Sequence, residues 1–391
     1  MKYTLRNYQK QASDAAVRLF TSNADNNGLV ILPTGAGKSL VIADIASRIE
    51  EPLLVFQPSK EILQQNFAKL QSYGIFDCGC YSASVGCKDI NRITFATIGS
   101  VMNHMSDFDC FKNIIVDECH YVNSKAGQYK QFIEAKNRQV IGLTATPYRL
   151  DRTVGGSILK FLTRVRPRIF SKVIYCCQIG ELLSKGYLAD LNYYDLTTLD
   201  LRRVRSNSTG ADYDERSLLA EYERSGFYDK LSNTVVKVLQ PKSGIPRKGV
   251  LVFTAFTKEA RQLVDKLQSL GVNAAIVTGD TPKKEREAIL EGFKKREIKV
   301  VANVGVLTTG FDYPALDTVV LARPTKSLAL YYQMVGRAIR PFEGKDGWIV
   351  DLSGNYSRFG NVADLYIGRP PGTSKWAVYS KGTQLTNVVL K

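Results

Sequence analysis

Short aliphatic runs recur along the first part of the chain, at Leu29 to Leu32, Leu53 to Gln57, Ile93 to Thr97, Ile114 to Asp117 and Val140 to Thr144. Each is followed by a longer segment whose apolar positions return with helical spacing, so the pattern predicts strands alternating with helices. A second series follows after an interval, at Val250 to Phe253, Ala275 to Thr278, Lys299 to Ala302, Thr318 to Ala322 and Trp348 to Leu352. Two such series predict an α/β protein with two parallel sheets in tandem, one in residues 1–165 and one in residues 166–391.

Two segments interrupt this rhythm. The connector expected at 160–185 begins with KFLTRVRPRIFSK (Lys160 to Lys172), which holds five basic residues and no acid. Two readings are open for it: a hinge or DNA-facing connector, and an exposed linker that touches nothing. A polar insertion is expected at about 198–226, with RRVRSNSTGADYDE (Arg202 to Glu215) predicted to be mobile, and either touching nucleic acid or idle.

Composition adds constraints. With 391 residues and 44% hydrophobic content, the chain is long enough for two domains with a core each. The excess of 53 Lys plus Arg over 37 Asp plus Glu gives a formal charge of +16, which suits a polyanionic partner, although a solvated cationic face has the same composition. The start, MKYTLRNYQK, lacks the apolar core of a secretory signal, and no apolar run reaches bilayer-spanning length. The expected location is cytoplasmic, with no membrane partner. Seven cysteines, at 78, 80, 87, 110, 119, 176 and 177, include no C-x-x-C pair, so reduced thiols are expected rather than a zinc site or a disulfide scaffold.

The chemistry begins at Leu32 to Ser39, LPTGAGKS, between an apolar strand and the helical stretch Leu40 to Ile49. Glycines at 35 and 37 let the backbone of Thr34, Gly35, Ala36 and Gly37 curl round phosphate oxygens, and the following helix presents its positive end. Lys38 then reaches the outer phosphates of ATP, and the Ser39 hydroxyl is a candidate Mg²⁺ ligand. Leu32 stands where a general phosphate-binding loop has its first glycine. Downstream, IIVDECH (Ile114 to His120) is an apolar strand ending in two carboxylates, where ligands of parallel sheets collect. Asp117 is predicted to hold Mg²⁺, and Glu118 to orient and deprotonate the attacking water.

Near the end, YYQMVGRAIR (Tyr331 to Arg340) predicts a helix with Gln333, Arg337 and Arg340 on one face. An exposed polar stripe has the same spacing. In a chain with a phosphate loop, Arg337 and Arg340 are read as arginine fingers that neutralise charge developing on the γ-phosphate.

DECH, together with GLTATPYR (Gly142 to Arg149) and LRNYQ (Leu5 to Gln9), resembles the superfamily 2 helicases, and within them the RadD-like DNA-repair helicases related to XPB and UvsW. The ordered motifs run from about Leu5 to Leu352. The resemblance implies two RecA-like domains that close on ATP. It implies that Gln9 reads adenine, with Arg6 nearby, and that Thr144 and Thr146 couple hydrolysis to nucleic acid. His120 is read as a relay in the same coupling. Loops at Pro58 and Ser59, Thr97 and Gly99, Thr254, and Gly279 and Asp280 resemble backbone-contacting loops of the family. In VVANVGVLTTGFD, Thr308 and Thr309 would face nucleic acid, and Gly310 and Asp312 the nucleotide or the other domain. Gln333, Arg337 and Arg340 match the family motif QxxGRxxR.

RadD-like proteins typically continue into a Cys-rich region with zinc-ribbon spacing, whereas this sequence ends at KGTQLTNVVLK, so only the motor is expected. The segment from Tyr366 onward, including Trp376, is either a short cap or mobile. The implied activity is an ATP-dependent DNA helicase or translocase, acting as a monomer through phosphate contacts and serving DNA repair, recombination or replication, with single-stranded-DNA-binding or repair proteins as further partners. A duplex translocase that separates no strands, an RNA helicase and an ATP-gated scaffold are the alternatives.

Overall fold

The computed structural model describes residues 4–22, 26–135, 138–153, 156–241, 246–308 and 310–388. The chain divides into two compact units. The first takes in residues up to Arg149, Leu159–Leu182 and Tyr366–Val388, and the second takes in Leu150–Ile158 and Leu183–Leu365.

In the first unit, strands β1 (Gly28–Ile31), β2 (Leu53–Phe56), β3 (Cys78–Ser82), β4 (Cys87–Lys88), β5 (Ile93–Ala96), β6 (Asn113–Asp117) and β7 (Gln139–Thr144) follow one another. Strands β8 (Tyr148–Thr153) and β9 (Gly156–Phe161), which lie mostly in the second unit, pair as a separate two-stranded sheet, and β10 (Lys172–Cys176) follows in the first. The main sheet runs β10-β1-β7-β6-β2-β5-β3-β4 and is parallel except for the β3–β4 pair. Helices α1 (Asn7–Phe20), α2 (Lys38–Arg48), α3 (Lys60–Ser72), α4 (Ile98–Met102) and α5 (Gln128–Glu134) complete the alternation. All residues of β1, β2, β5 and β6 are buried, as their mainly apolar sequences predict.

The connector is not an exposed linker. Phe161, Leu162, Val165 and Phe170 are buried, and Lys172 opens strand β10 at the sheet edge. The expected boundary at 165/166 therefore falls inside the first unit. Cys80 and Cys87 are joined as a disulfide, against the expectation of reduced thiols throughout. Antiparallel pairing of β3 with β4 brings their Cα atoms to 5.6 Å, within bridging range.

The second unit holds β11 (Leu191–Asp195), β12 (Val250–Thr254), β13 (Ala274–Val277), β14 (Val300–Val304), β15 (Thr318–Leu321) and β16 (Gly347–Asp351). They form an all-parallel sheet in the order β11-β16-β15-β12-β14-β13. Its helices are α6 (Ile179–Ser184), which spans the change of unit, α7 (Glu215–Ser225), α8 (Phe227–Leu239), α9 (Thr257–Ser269), α10 (Lys283–Lys294), α11 (Leu328–Val335) and α12 (Asn355–Phe359).

The polar insertion is built into this unit rather than mobile. Val204, Tyr213, Leu218 and Tyr222 join the core, and Asp212 pairs with Arg323 at 3.2 Å. Helix α11 is shorter than the sequence suggests. It ends at Val335 with Gly336 as its cap, and Arg337 N–H and Ala338 N–H turn back to the carbonyls three residues earlier. Glycine is a poor helix former, and past Gly336 the chain tightens into a turn, so Arg337 and Arg340 stand beyond the helix, not on its face.

The C-terminal segment returns to the first unit. Strands β17 (Leu365–Gly368), β18 (Ala377–Ser380) and β19 (Thr383–Gln384) make a small sheet. The backbone of Ile367 exchanges two hydrogen bonds with Gln178, at 2.8 and 3.0 Å, and Trp376 stacks on Phe161. Of the two outcomes left open for this tail, packing back is the one observed.

Candidate active site

The loop between β1 and α2 turns through two left-handed glycines, with φ of 82° at Gly35 and 78° at Gly37. A side chain would resist both angles. Crowding adds a second reason at Gly37, where a Cβ would lie 2.5 Å from Nε2 of Gln9. Gln9 is buried and donates to Ala36 O at 2.8 Å, while the backbone of Arg6 donates to Gln9 Oε1 at 2.9 Å. Tyr8 donates its hydroxyl to the same Ala36 carbonyl, at 2.9 Å. Helix α1 is thereby tied to the phosphate loop. Thr34 is buried and Ser39 lies in the first turn of α2.

Lys38 crosses from this loop to the end of β6, where its Nζ lies 2.8 Å from Glu118 Oε1. Glu118 is in the left-handed region at φ 49°, an unusual conformation for a residue with a side chain. Its other oxygen lies 3.3 Å from His120 Nδ1, which is 2.9 Å from the Thr144 hydroxyl at the end of β7. The Thr144 hydroxyl in turn accepts from Thr146 N–H at 3.0 Å, and the Thr144 carbonyl accepts from Leu32 N–H at 3.1 Å. Lys38, Glu118, His120, Thr144 and Thr146 thus form one connected chain within the first unit.

Asp117 is buried beside them. Burial, and then the charge of Glu118, push its carboxyl up to about 7, with Lys38 and hydrogen bonds from Glu118 N–H and Asn66 pulling the other way. Burial would raise Glu118 too, but Lys38 and His120 outweigh it and hold that carboxylate well below its ordinary range. One acid of the pair therefore stays ionised while its neighbour resists ionisation.

Asn66 is absent from the sequence reading. It donates to Asp117 Oδ2 at 3.1 Å and to Gln57 Oε1 at 3.0 Å. One signal does point to it: an amide on the buried face of α3, shared with Leu63 and Leu70 at helical spacing.

The residues expected to contact nucleic acid lie at or just beyond the carboxyl ends of parallel strands: Pro58 and Ser59 after β2, Thr97 and Gly99 after β5, Thr254 in β12, Gly279 and Asp280 after β13, and Thr308 after β14. Three hydroxyls are already engaged. Ser59 caps α3 through Ile62 N–H, Thr97 bonds Ser82 and Ser100, and Thr254, which is buried, donates to Asn303 O. Gly99, Gly279 and Asp280 are exposed. Thr309 lies outside the described residues.

In the second unit, Arg337 is buried and donates to Phe311 O at 2.6 Å and to the Gln333 carbonyl at 3.4 Å. Arg340 forms an ion pair with Asp312, close to Gly310, whose φ is 73°. Gln333 is buried on α11. Among the described residues, no cluster of His, Cys, Asp and Glu could hold a metal by itself. No helix among them is long and apolar enough to cross a membrane.

A phosphate-binding loop facing a strand-end acid pair, followed by a second parallel α/β unit with an Arg-rich turn, defines a two-unit, RecA-like P-loop protein. Comparison with known proteins agrees. Residues 2–149 match the family described as "Type III restriction enzyme, res subunit", and residues 231–341 the "Helicase conserved C-terminal domain". IRC3 of Saccharomyces cerevisiae is 27% identical over 376 residues, covering 90% of this chain and 51% of IRC3. The DNA 3'-5' translocase XPB2 of Sulfurisphaera tokodaii is 24% identical over 383 residues, covering 90% of this chain and 82% of XPB2. The fold aligns with the DNA-bound Type ISP restriction-modification enzyme LlaBIII at a TM-score of 0.66 and 18% identity, over 90% of this chain and 28% of that one. The chain thus spans about half the length of IRC3 and less of LlaBIII. By its paired domains and its relatives, it belongs to the superfamily 2 helicases, with homologues in the XPB and IRC3 groups.

Proposed function

We propose that this chain is an ATP-driven DNA motor, in which hydrolysis at the phosphate loop powers translocation along DNA or its remodelling. The observation that carries the reading is the Lys38–Glu118 contact of 2.8 Å, because it joins the phosphate-binding cation directly to the acid that would activate water. In the bound state Lys38 exchanges this partner for the outer phosphates, and Glu118 is released to orient and deprotonate the nucleophile. The direction, 3' to 5', is taken from the XPB2 relative.

Mg²⁺ fits the donors present. Ser39 offers a hydroxyl next to Lys38, and Asp117 a carboxylate whose pKa is raised by burial and then by the charge of Glu118, so a cation there would favour its ionised form. One carboxylate plus substrate phosphates is a common Mg²⁺ set, and when bound the ion neutralises phosphate charge. Gln9 supports adenine recognition from its place against Ala36. Arg337, Arg340 and Gln333 are proposed to meet the γ-phosphate when the units close, with Gly310 and Asp312 beside them. His120, Thr144 and Thr146 are proposed to transmit loss of that phosphate to the strand-end loops, which hold DNA through its backbone.

The test is the ATPase rate of the full chain alone and with single-stranded, duplex, forked and four-way DNA, and with RNA. DNA stimulation exceeding that by RNA is expected. Turnover indifferent to every nucleic acid would sink the motor reading, and stimulation by RNA alone would transfer it to RNA. Strand-displacement and triplex-displacement assays then separate a helicase from a duplex translocase.

A further inference from the structure

Helix α7 and the segment 203–206 enclose an open groove of about 630 Å³ in the second unit. Four arginines line it: Arg203, Arg205, Arg216 and Arg224, all exposed. Arg216 and Arg224 are two four-residue steps apart on α7, so they share one face of the helix.

The two acids of the lining are largely spent on local structure. Asp214 caps α7 by accepting from Ser217 N–H at 2.9 Å. Glu221 accepts from Asp200 N–H at 2.8 Å and pairs with Arg224. Arg203 shares Asp200 at 3.4 Å with its side chain 63% exposed, and water competes well with such a contact. Lys326 adds a further cation at the rim, with its Nζ on Ser206 Oγ. The groove therefore carries an excess of fixed positive charge.

Its walls are held in place. Arg205 N–H donates to Ser217 Oγ at 3.0 Å, Asp214 N–H donates to Arg205 O at 2.9 Å, and Ser206 bridges Tyr213. Val204, Tyr213 and Leu218 anchor both sides in the core. A cationic groove that is already ordered loses little freedom when it binds.

We infer that this groove seats the phosphodiester backbone of nucleic acid, as a contact separate from the strand-end loops. The inference rests on the motor reading above. Guanidinium forks match phosphate oxygens two at a time. The lining offers no aromatic ring and only Ala220 as an apolar side chain, so it lacks both a platform for a base and an anchor for an acidic, hydrophobic peptide. Binding here is indifferent to sequence.

The test compares the full chain with its triple variant Arg203→Gln/Arg205→Gln/Arg216→Gln, measuring affinity for labelled single-stranded and duplex DNA across a salt series. Loss of about tenfold or more at ~0.1 M salt, with the log–log salt slope smaller by about 2 to 3, is expected on at least one DNA form, which then identifies the strand state that the groove seats. DNA-free ATPase activity and thermal stability should match wild type. The triple Arg→Lys variant keeps its charge and should keep most of the slope. Unchanged DNA affinity and slope in the Gln variant, while wild type binds DNA, overturns the groove and leaves the motor reading standing. Lost affinity for polyglutamate with DNA binding intact also overturns it, in favour of an acidic protein partner. A wild-type chain that binds no nucleic acid overturns both.

Discussion

Asn66 on α3 hydrogen-bonds Asp117 at the end of β6, 51 positions along the chain, with a donor–acceptor distance of 3.1 Å. The same amide reaches Gln57, so Asn66 is fixed by one strand while it orients an acid on the next. Groups that orient a metal-binding carboxylate commonly matter ~10–100-fold in activity. Asn66→Ala should accordingly lower kcat for ATP hydrolysis by about tenfold or more, with a smaller change in KM. Asn66→Asp should do worse, since it replaces the amide donor to Asp117 with a third acid beside Asp117 and Glu118. Steady-state kinetics on the folded variants decides: an unchanged kcat in Asn66→Ala would leave the residue with a packing role only.

Lys38 and Glu118 neutralise one another across 2.8 Å. Removing either partner has opposite consequences for binding. Lys38→Ala deletes the cation that meets the phosphates, so nucleotide affinity and turnover should both collapse while DNA binding persists in part. Glu118→Gln releases Lys38 and removes charge repulsion toward phosphate, so affinity should hold or tighten while kcat falls by ~10²-fold or more. Fluorescent-nucleotide titration alongside turnover separates the two, and Glu118→Gln turning over like wild type would remove the general-base assignment.

The two arginines of the turn after α11 should separate by stability. Arg337 is buried on Phe311 O, so Arg337→Ala leaves a carbonyl unpaired and a void, at a cost of about 1–3 kcal/mol and a lower Tm. Arg340 pairs with the exposed carboxylate of Asp312, so Arg340→Ala should leave Tm near wild type. If Arg340 meets the γ-phosphate, its loss lowers kcat by ~10³-fold with modest change in nucleotide affinity. Full hydrolysis by Arg340→Ala would end its reading as a finger.

What the sequence revealed is what is locally encoded. The phosphate loop and the strand-end acids are each contiguous, and the central strands carry apolar runs because both faces are covered. Edge strands carry a weaker signature: β11 is only partly buried along its length, and β10 lay inside a segment read by its charge. Arg337 and Arg340 fit helical spacing, but Gly336 ends the helix before either is reached. The Asn66–Asp117 contact and the return of the C-terminal segment to the first unit join residues far apart in sequence, which no periodicity encodes. The insertion looked mobile because its polar residues outnumber Leu199, Val204, Tyr213, Leu218 and Tyr222, which bury it.

Glu259 makes the second unit's stability pH-dependent. It is 1% exposed on α9 and accepts from Ala255 N–H at 2.7 Å. Burial raises its pKa well above the ordinary 4.5, only partly offset by hydrogen bonds from the Ala255 and Phe256 backbone and by Arg323. The native state thus holds a proton that the unfolded chain releases near the ordinary value. Stability contributed by this group is greatest at low pH and falls as pH rises above 4.5 and through the native pKa. Glu259→Gln keeps an oxygen for Ala255 and cannot ionise. The difference in Tm, wild type minus variant, should therefore grow more negative as pH rises above about 4.5 and level off once the native carboxyl has ionised. A flat difference across that range would mean that Glu259 has the same proton affinity folded and unfolded, and that the pH dependence arises elsewhere.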